Sequence, residues 1–184
     1  GTSGYPAFLF INGDGKLVYM EGGYTEGDEF IGFGKTALEK AKGIEFIEGD
    51  WNRALEQARQ ENKLIFMDCY TFWCGPCKQL ARTVFTDPDA ANFFNEHFVN
   101  LKMDMEKGEG INLKDRFGVK AYPTLLFING QGEVVHSLVG APGLKELIEQ
   151  AQIAFEGKGL AYADAEYQKG NRDPEFIQAY LTYL

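Results

Sequence analysis

The chain has 184 residues and a net charge of −9 at pH 7, which argues against a nucleic-acid surface and leaves no basic patch for an anionic membrane. Its 45% hydrophobic and 14% aromatic content marks a globular protein rather than a disordered one, and no run of 18 apolar residues is present. Three cysteines are too few for a disulfide framework.

The chain opens on a segment that it later repeats. Tyr5–Val18 and Tyr122–Val135 share nine of 14 positions at a constant offset of 117 without a gap, and agreement continues through Gly23/Gly140, Glu29/Glu146 and Ala37/Ala154. Next, Ile44–Glu48 is a short β-type run, and Asp50 is placed as the N-cap of a helix from Trp51 to Glu61. The continuous apolar run Leu64–Met67 suits a strand covered on both faces. Leu80, Ala81, Val84 and Phe85 have helical spacing, and Asp87-Pro88 opens another helix through Phe93 and Phe94.

Phe98–Met105 reads as a strand, and Ile111–Phe117 as a short helix ended by Gly118. Thr124–Ile128 and Val134–Val139 flank the hairpin signal Asn129-Gly130-Gln131-Gly132, and Leu144–Phe155 carries an amphipathic stripe. The order predicts an α/β fold with parallel pairing, helices on both sheet faces and an antiparallel hairpin at one edge. Beyond Gly157–Gly159, two short helices are expected around Gly170–Pro174, the second starting at Asp173-Pro174. They leave apolar residues exposed, as if further helices were to cover them.

Two cysteines lie in Trp73-Cys74-Gly75-Pro76-Cys77-Lys78. Thiols with two residues between them at a helix start close into a disulfide within one turn, and the helix end favours a thiolate on the first. Lowering a thiol pKa from about 8.5 to about 7 corresponds to roughly 2 kcal/mol of thiolate stabilisation. Cys77 is set to attack a mixed disulfide on Cys74. Pro76 fits the first turn because its missing N–H has no intrahelical partner there. A zinc site would need ligands from Cys69, His97 or His136, none of which has a second paired spacing, so no metal is assigned. Cys69 is read as a small buried side chain, and the two histidines receive no role.

From Ile44 to Glu156 the chain resembles the thioredoxin superfamily, whose active-site motif WCGPCK it matches residue by residue. The resemblance implies a thioredoxin-like fold, a central mixed sheet flanked by helices, in which Cys74 and Cys77 are the redox couple. It also implies that Asp68 is the buried acid that exchanges a proton with the resolving cysteine. Tyr122, Pro123 and Thr124 match the cis-proline loop that offers backbone to substrate, and Gly140 matches the glycine that leaves room beside the active site. Trp73, Gly75 and Pro76 complete the substrate-binding rim.

There are departures from the family pattern. Tyr70 replaces the usual tryptophan, Phe72 precedes Trp73, and the segment from Thr83 to Phe98 adds a helical excursion. The lysine often found near the buried acid has no clear match, because Asn100 stands in its place. These features resemble exported bacterial proteins of the disulfide-isomerase and cytochrome-c-biogenesis type, and imply a periplasmic or exported location, with the cytoplasm as the alternative.

The expected activity is thiol–disulfide exchange on protein thiols and disulfides, as a reductase or isomerase with a redox partner reductase, no cofactor, no nucleic acid and no membrane insertion. Two alternatives stay open: a dedicated electron relay for a membrane or cytochrome-maturation partner, and a binding scaffold using the helical tail. The expected organisation is a partial thioredoxin-like β-β-α unit lacking CxxC over 1–42, a thioredoxin-like domain over 43–157, and a helical extension over 158–184.

Overall fold

The computed structural model describes residues 6–11, 15 and 17–183, with the side chains of Glu39 and Lys40 excepted. Tyr5, residues 12–14 and Lys16 of the first copy of the repeat lie outside that range.

Strands β1 (Ala7–Ile11) and β2 (Leu17–Gly22) form a separate two-stranded antiparallel sheet followed by α1 (Gly27–Lys40). The main body then runs β3 (Ile47–Glu48), α2 (Trp51–Glu61), β4 (Leu64–Tyr70), α3 (Gly75–Thr83), α4 (Pro88–His97), β5 (Phe98–Asp104), α5 (Gly110–Phe117), β6 (Thr124–Ile128), β7 (Val134–Val139) and α6 (Leu144–Phe155). Helices α7 (Leu160–Gln168) and α8 (Pro174–Leu181) close the chain. The five-stranded sheet has the order β3-β5-β4-β6-β7. Its first three strands are parallel, whereas β6 runs antiparallel to β4 and β7 antiparallel to β6. This is the expected mixed sheet flanked by helices.

Local chemistry sets the helix starts. Asp50 accepts from the Arg53 N–H at 2.9 Å, Asp87 from Asp89 N–H at 3.0 Å, and Asp173 from Glu175 N–H at 3.0 Å. Pro88 and Pro174 follow two of these caps, where a missing N–H costs nothing. Gly118 ends α5 at φ +64°, a backbone conformation that glycine adopts without a Cβ penalty.

The alternation of β4 divides the core. Ile65, Met67 and Cys69 pack with Trp51, Ala54, Leu101, Met103 and Leu126 on one face. Phe66 faces the other side, among Phe85, Phe94, Phe98, Phe127 and Leu147, with its ring 4.4 Å from that of Phe94. Two expectations are shortened. The run from Ile44 pairs only at Ile47 and Glu48, because Gly43 turns at φ +74° against the Phe85 carbonyl and sends Ile44 into the second core. Helix α3 stops at Thr83, and Val84 and Phe85 leave it to pack in the same core.

The repeat is structural as well as textual. Register in β1–β2 reproduces that in β6–β7, from Ala7↔Gly22 against Thr124↔Val139 to a matching irregularity after Phe10 and after Phe127. The Gly23 N–H donates to the Pro6 carbonyl at 2.8 Å, as the Gly140 N–H does to Pro123 at 2.8 Å. What differs is cover. Leu126 and Ile128 are 3% and 0% exposed, whereas the matching Leu9 and Ile11 are 55% and 59% exposed.

Candidate active site

The cysteines sit at the start of α3. Cys74 is its N-cap and Cys77 lies in the first turn, which brings their Cα atoms to 5.3 Å and allows the disulfide that joins them. The Cys74 sulfur also accepts from the Cys77 N–H at 3.1 Å. A sulfur at this position faces unpaired N–H groups and the positive end of the helix dipole, which favours the thiolate in the reduced state. Gly75 and Pro76 form the first helical positions, as the motif requires. Both cysteines are nearly covered, at 3% and 4% exposure.

Beside them, Phe72 and Trp73 are exposed. The Trp73 indole N–H donates to Glu106 Oε2 at 2.9 Å, and its ring meets Tyr122 edge-on at 6.0 Å. That contact joins the motif loop to the Tyr122-Pro123 loop, whose peptide bond is cis. Thr124 opens β6 opposite Cys69, and its hydroxyl donates to the Ala121 carbonyl at 2.8 Å. Gly140 is tied to this loop through its N–H bond to Pro123. Gly140 borders open space, since a Cβ there would meet no atom within 4 Å. Its φ of +104° also favours glycine.

Asp68 is 1% exposed near the end of β4, and its Oδ1 has no hydrogen-bond partner. Burial raises its pKa to about 7, with Lys102 acting to lower it and Glu48 to raise it. Asp68, Tyr70, Thr71, Phe72, Cys77, Lys78, Ala81 and Lys102 line an open cavity of about 90 Å³, so the acid and the second cysteine border one small space. Cys69, by contrast, is a free buried thiol whose pKa burial pushes well up, which suits a packing role.

The assignment of the lysine position to Asn100 is corrected by the register. Asn100 pairs with Phe66 and donates to the Phe94 carbonyl at 3.3 Å, whereas Lys102 lies directly opposite Asp68. Sequence reasoning missed Lys102 and Glu106 because both reach the site through strand pairing and loop placement. The only local signal was the alternation in Phe98–Asp104, where a charged residue interrupts a buried strand. The histidines lie apart from these groups: His97 packs on Phe93 and Phe155, and His136 bonds Gln150. A larger cleft of about 810 Å³ lies between α2, the β6–β7 turn and α7, and is lined by none of the sulfur chemistry.

A CxxC disulfide at a helix start, a buried acid behind it and a cis-proline loop on a mixed sheet together define the thioredoxin-like class of oxidoreductases. The comparisons agree. Residues 46–130 match the family described as thioredoxin-like. Thioredoxin H4 of Arabidopsis thaliana is 38% identical over 91 residues, covering 50% of this chain and 71% of that protein. Thioredoxin of Echinococcus granulosus is 34% identical over 108 residues, covering 58% of this chain and 92% of its own. Among solved structures, a protein of Bacteroides thetaiotaomicron provisionally described as a disulphide-isomerase is 55% identical, with a TM-score of 0.58, covering 65% of this chain and 98% of that one. The chain belongs to the thioredoxin-like family. Among the described residues, no helix is long and apolar enough to cross a membrane.

Proposed function

We propose that the protein is a thiol–disulfide oxidoreductase that reduces or isomerises protein disulfides through Cys74 and Cys77. The observation that carries this reading is the Cys74–Cys77 pair at the N-terminus of α3 with Asp68 in the adjoining cavity. The Cys74 thiolate attacks one sulfur of a substrate disulfide, a new S–S bond forms, and the other substrate sulfur leaves as a thiolate that takes a proton from water. Asp68 accepts the Cys77 proton, and the Cys77 thiolate attacks Cys74 Sγ. The Cys74–Cys77 disulfide closes and the second substrate thiolate departs. The substrate gains two electrons, and the protein loses them.

An acid with a pKa near 7 suits the proton step, because it releases and regains a proton near neutrality. Tyr122, Pro123 and Thr124 hold the substrate backbone, with Trp73, Gly75, Pro76 and Gly140 around them. The Gly-Pro pair between the cysteines resembles reducing members of the family, for which a potential near −270 mV is typical.

The proposed organisation keeps 43–157 as the redox domain, 1–42 as a β-β-α half unit without cysteines, and 158–184 as an extension. The shared register of the two hairpins supports the half unit. A reductase that restores the dithiol and a periplasmic or exported setting belong to the same proposal, and the location rests on resemblance alone. The test is reduction of insulin disulfides with dithiothreitol as electron donor. Cys74→Ser is expected to abolish the catalysed rate, and retained activity would sink the mechanism.

A further inference from the structure

We propose that Tyr70 is a positioning residue for the redox centre: its ring holds the Lys102 ammonium beside Asp68, and through that ammonium it governs how tightly Asp68 keeps its proton. The inference rests on the reading above, in which Asp68 takes the Cys77 proton.

Strand register supplies the geometry. Glu48 on β3 is the partner of Lys102 on β5, and Lys102 is the partner of Asp68 on β4. Residues in register point to the same face of a sheet, so a carboxylate, an ammonium and a second carboxylate form one row across three strands. Tyr70 stands two residues beyond Asp68 and therefore on the same face, one step along. The Lys102 ammonium makes no ion pair among the described residues, and it lies 5.1 Å from the centroid of the Tyr70 ring. Lys102 and Tyr70 both line the cavity that contains Asp68 and Cys77.

Other groups face the same space. Lys78 lines it from α3, and Asp104, the register partner of Tyr70, is ion-paired with Lys107 at 3.4 Å. Cys77 is held in the disulfide, and Cys69 points to the opposite core. Burial, Glu48 and Asp104 all push the Tyr70 phenol pKa up, so the ring stays neutral and presents an uncharged face to the cation. Asp68 offers Lys102 a buried carboxylate whose Oδ1 is unbonded, whereas Glu48 is exposed. An ammonium released from the ring gains hydration by moving outward to water and Glu48. Asp68 then loses the positive charge of Lys102 and binds its proton more tightly.

The test is a carbonyl-carbon NMR titration of Asp68 in the full-length oxidised protein. Tyr70→Phe keeps the ring face and should leave the midpoint within about 0.2 pH units. Tyr70→Leu keeps apolar cover but not the cation site, and should raise the midpoint by about half a pH unit. Lys102→Met should raise it at least as far, and Tyr70→Leu added to Lys102→Met should change nothing more. Tyr70→Met replaces Tyr70→Leu should the latter fail to fold. The proposal is overturned by an unmoved or lowered midpoint in Tyr70→Leu, or by an equal shift whether or not Lys102 is present. Because the oxidised protein is titrated without turnover, this result is separate from the Cys74→Ser assay: activity retained there ends the functional reading and leaves the titration standing.

Discussion

Replacing Asp68 by Asn should stabilise the oxidised protein, and by an amount that grows with pH. Burial is the main cause that pushes the folded carboxyl up to about 7, from an ordinary value of 3.8. Between those values the folded state holds a proton that the unfolded state has released, so folding stability falls as pH rises through this window. Three pH units at 1.36 kcal/mol each correspond to a penalty of about 4 kcal/mol above pH 8, and about 1.5 kcal/mol at pH 5. Asn presents a neutral group of the same shape, and Asp68 Oδ1 makes no hydrogen bond that would be lost. Urea unfolding at pH 4, 5, 7 and 8.5 measures the difference. The expected result is near-equality at pH 4 and a widening gain above it. A gain independent of pH would refute the electrostatic reasoning and point to packing, and a loss at pH 8.5 would refute it outright. The same variant should slow the release of substrate from the mixed disulfide, since Cys77 would lack its proton acceptor.

Two further predictions concern residues outside the couple. His136 is 1% exposed, its Nε2 lies 2.7 Å from Gln150 Oε1, and its Nδ1 accepts from the Leu160 N–H at 3.3 Å. Burial lowers its pKa from 6.5, so the folded state favours the neutral ring and its contribution fades as pH falls below 6.5 toward the folded value. Protonation would set two donors facing each other at Leu160, and hydrogen exchange should show that amide losing protection between pH 7 and 5 more than the amides of β4. Gly140→Ala should cost about 1–3 kcal/mol in urea unfolding, because φ is +104° there. An unchanged stability with reduced turnover would instead point to the room that the glycine leaves beside the active site.

Much of the site was legible because it is local. Cys74, Gly75, Pro76 and Cys77 lie within one turn, and the spacing alone brings the sulfurs into bonding range. The caps at Asp50, Asp87 and Asp173 were readable for the same reason: each bonds an N–H two or three residues away. Asp68 was found through the family spacing, but its unbonded carboxyl and raised pKa come from the strands around it. The lysine opposite Asp68 is Lys102, two residues beyond the Asn100 at which it was expected. A parallel strand pair can slide by two without changing which side chains face the core, so alternation cannot tell Asn100 from Lys102 as the partner of Asp68.

The chain by itself determined the redox motif, the helix starts and the duplicated hairpin, since these depend on neighbours in sequence and on turn chemistry. Only the tertiary structure decided what surrounds each copy of the hairpin. Pro123 and Thr124 lie beside the cysteine loop because β6 is placed between β4 and β7, with Trp73 against Tyr122. The copy at Ala7–Gly22 repeats the register but, among the described residues, pairs only with itself, and its Leu9 and Ile11 remain exposed. Burial and the meeting of distant residues are properties of the packed sheet, which equal stretches of sequence do not carry.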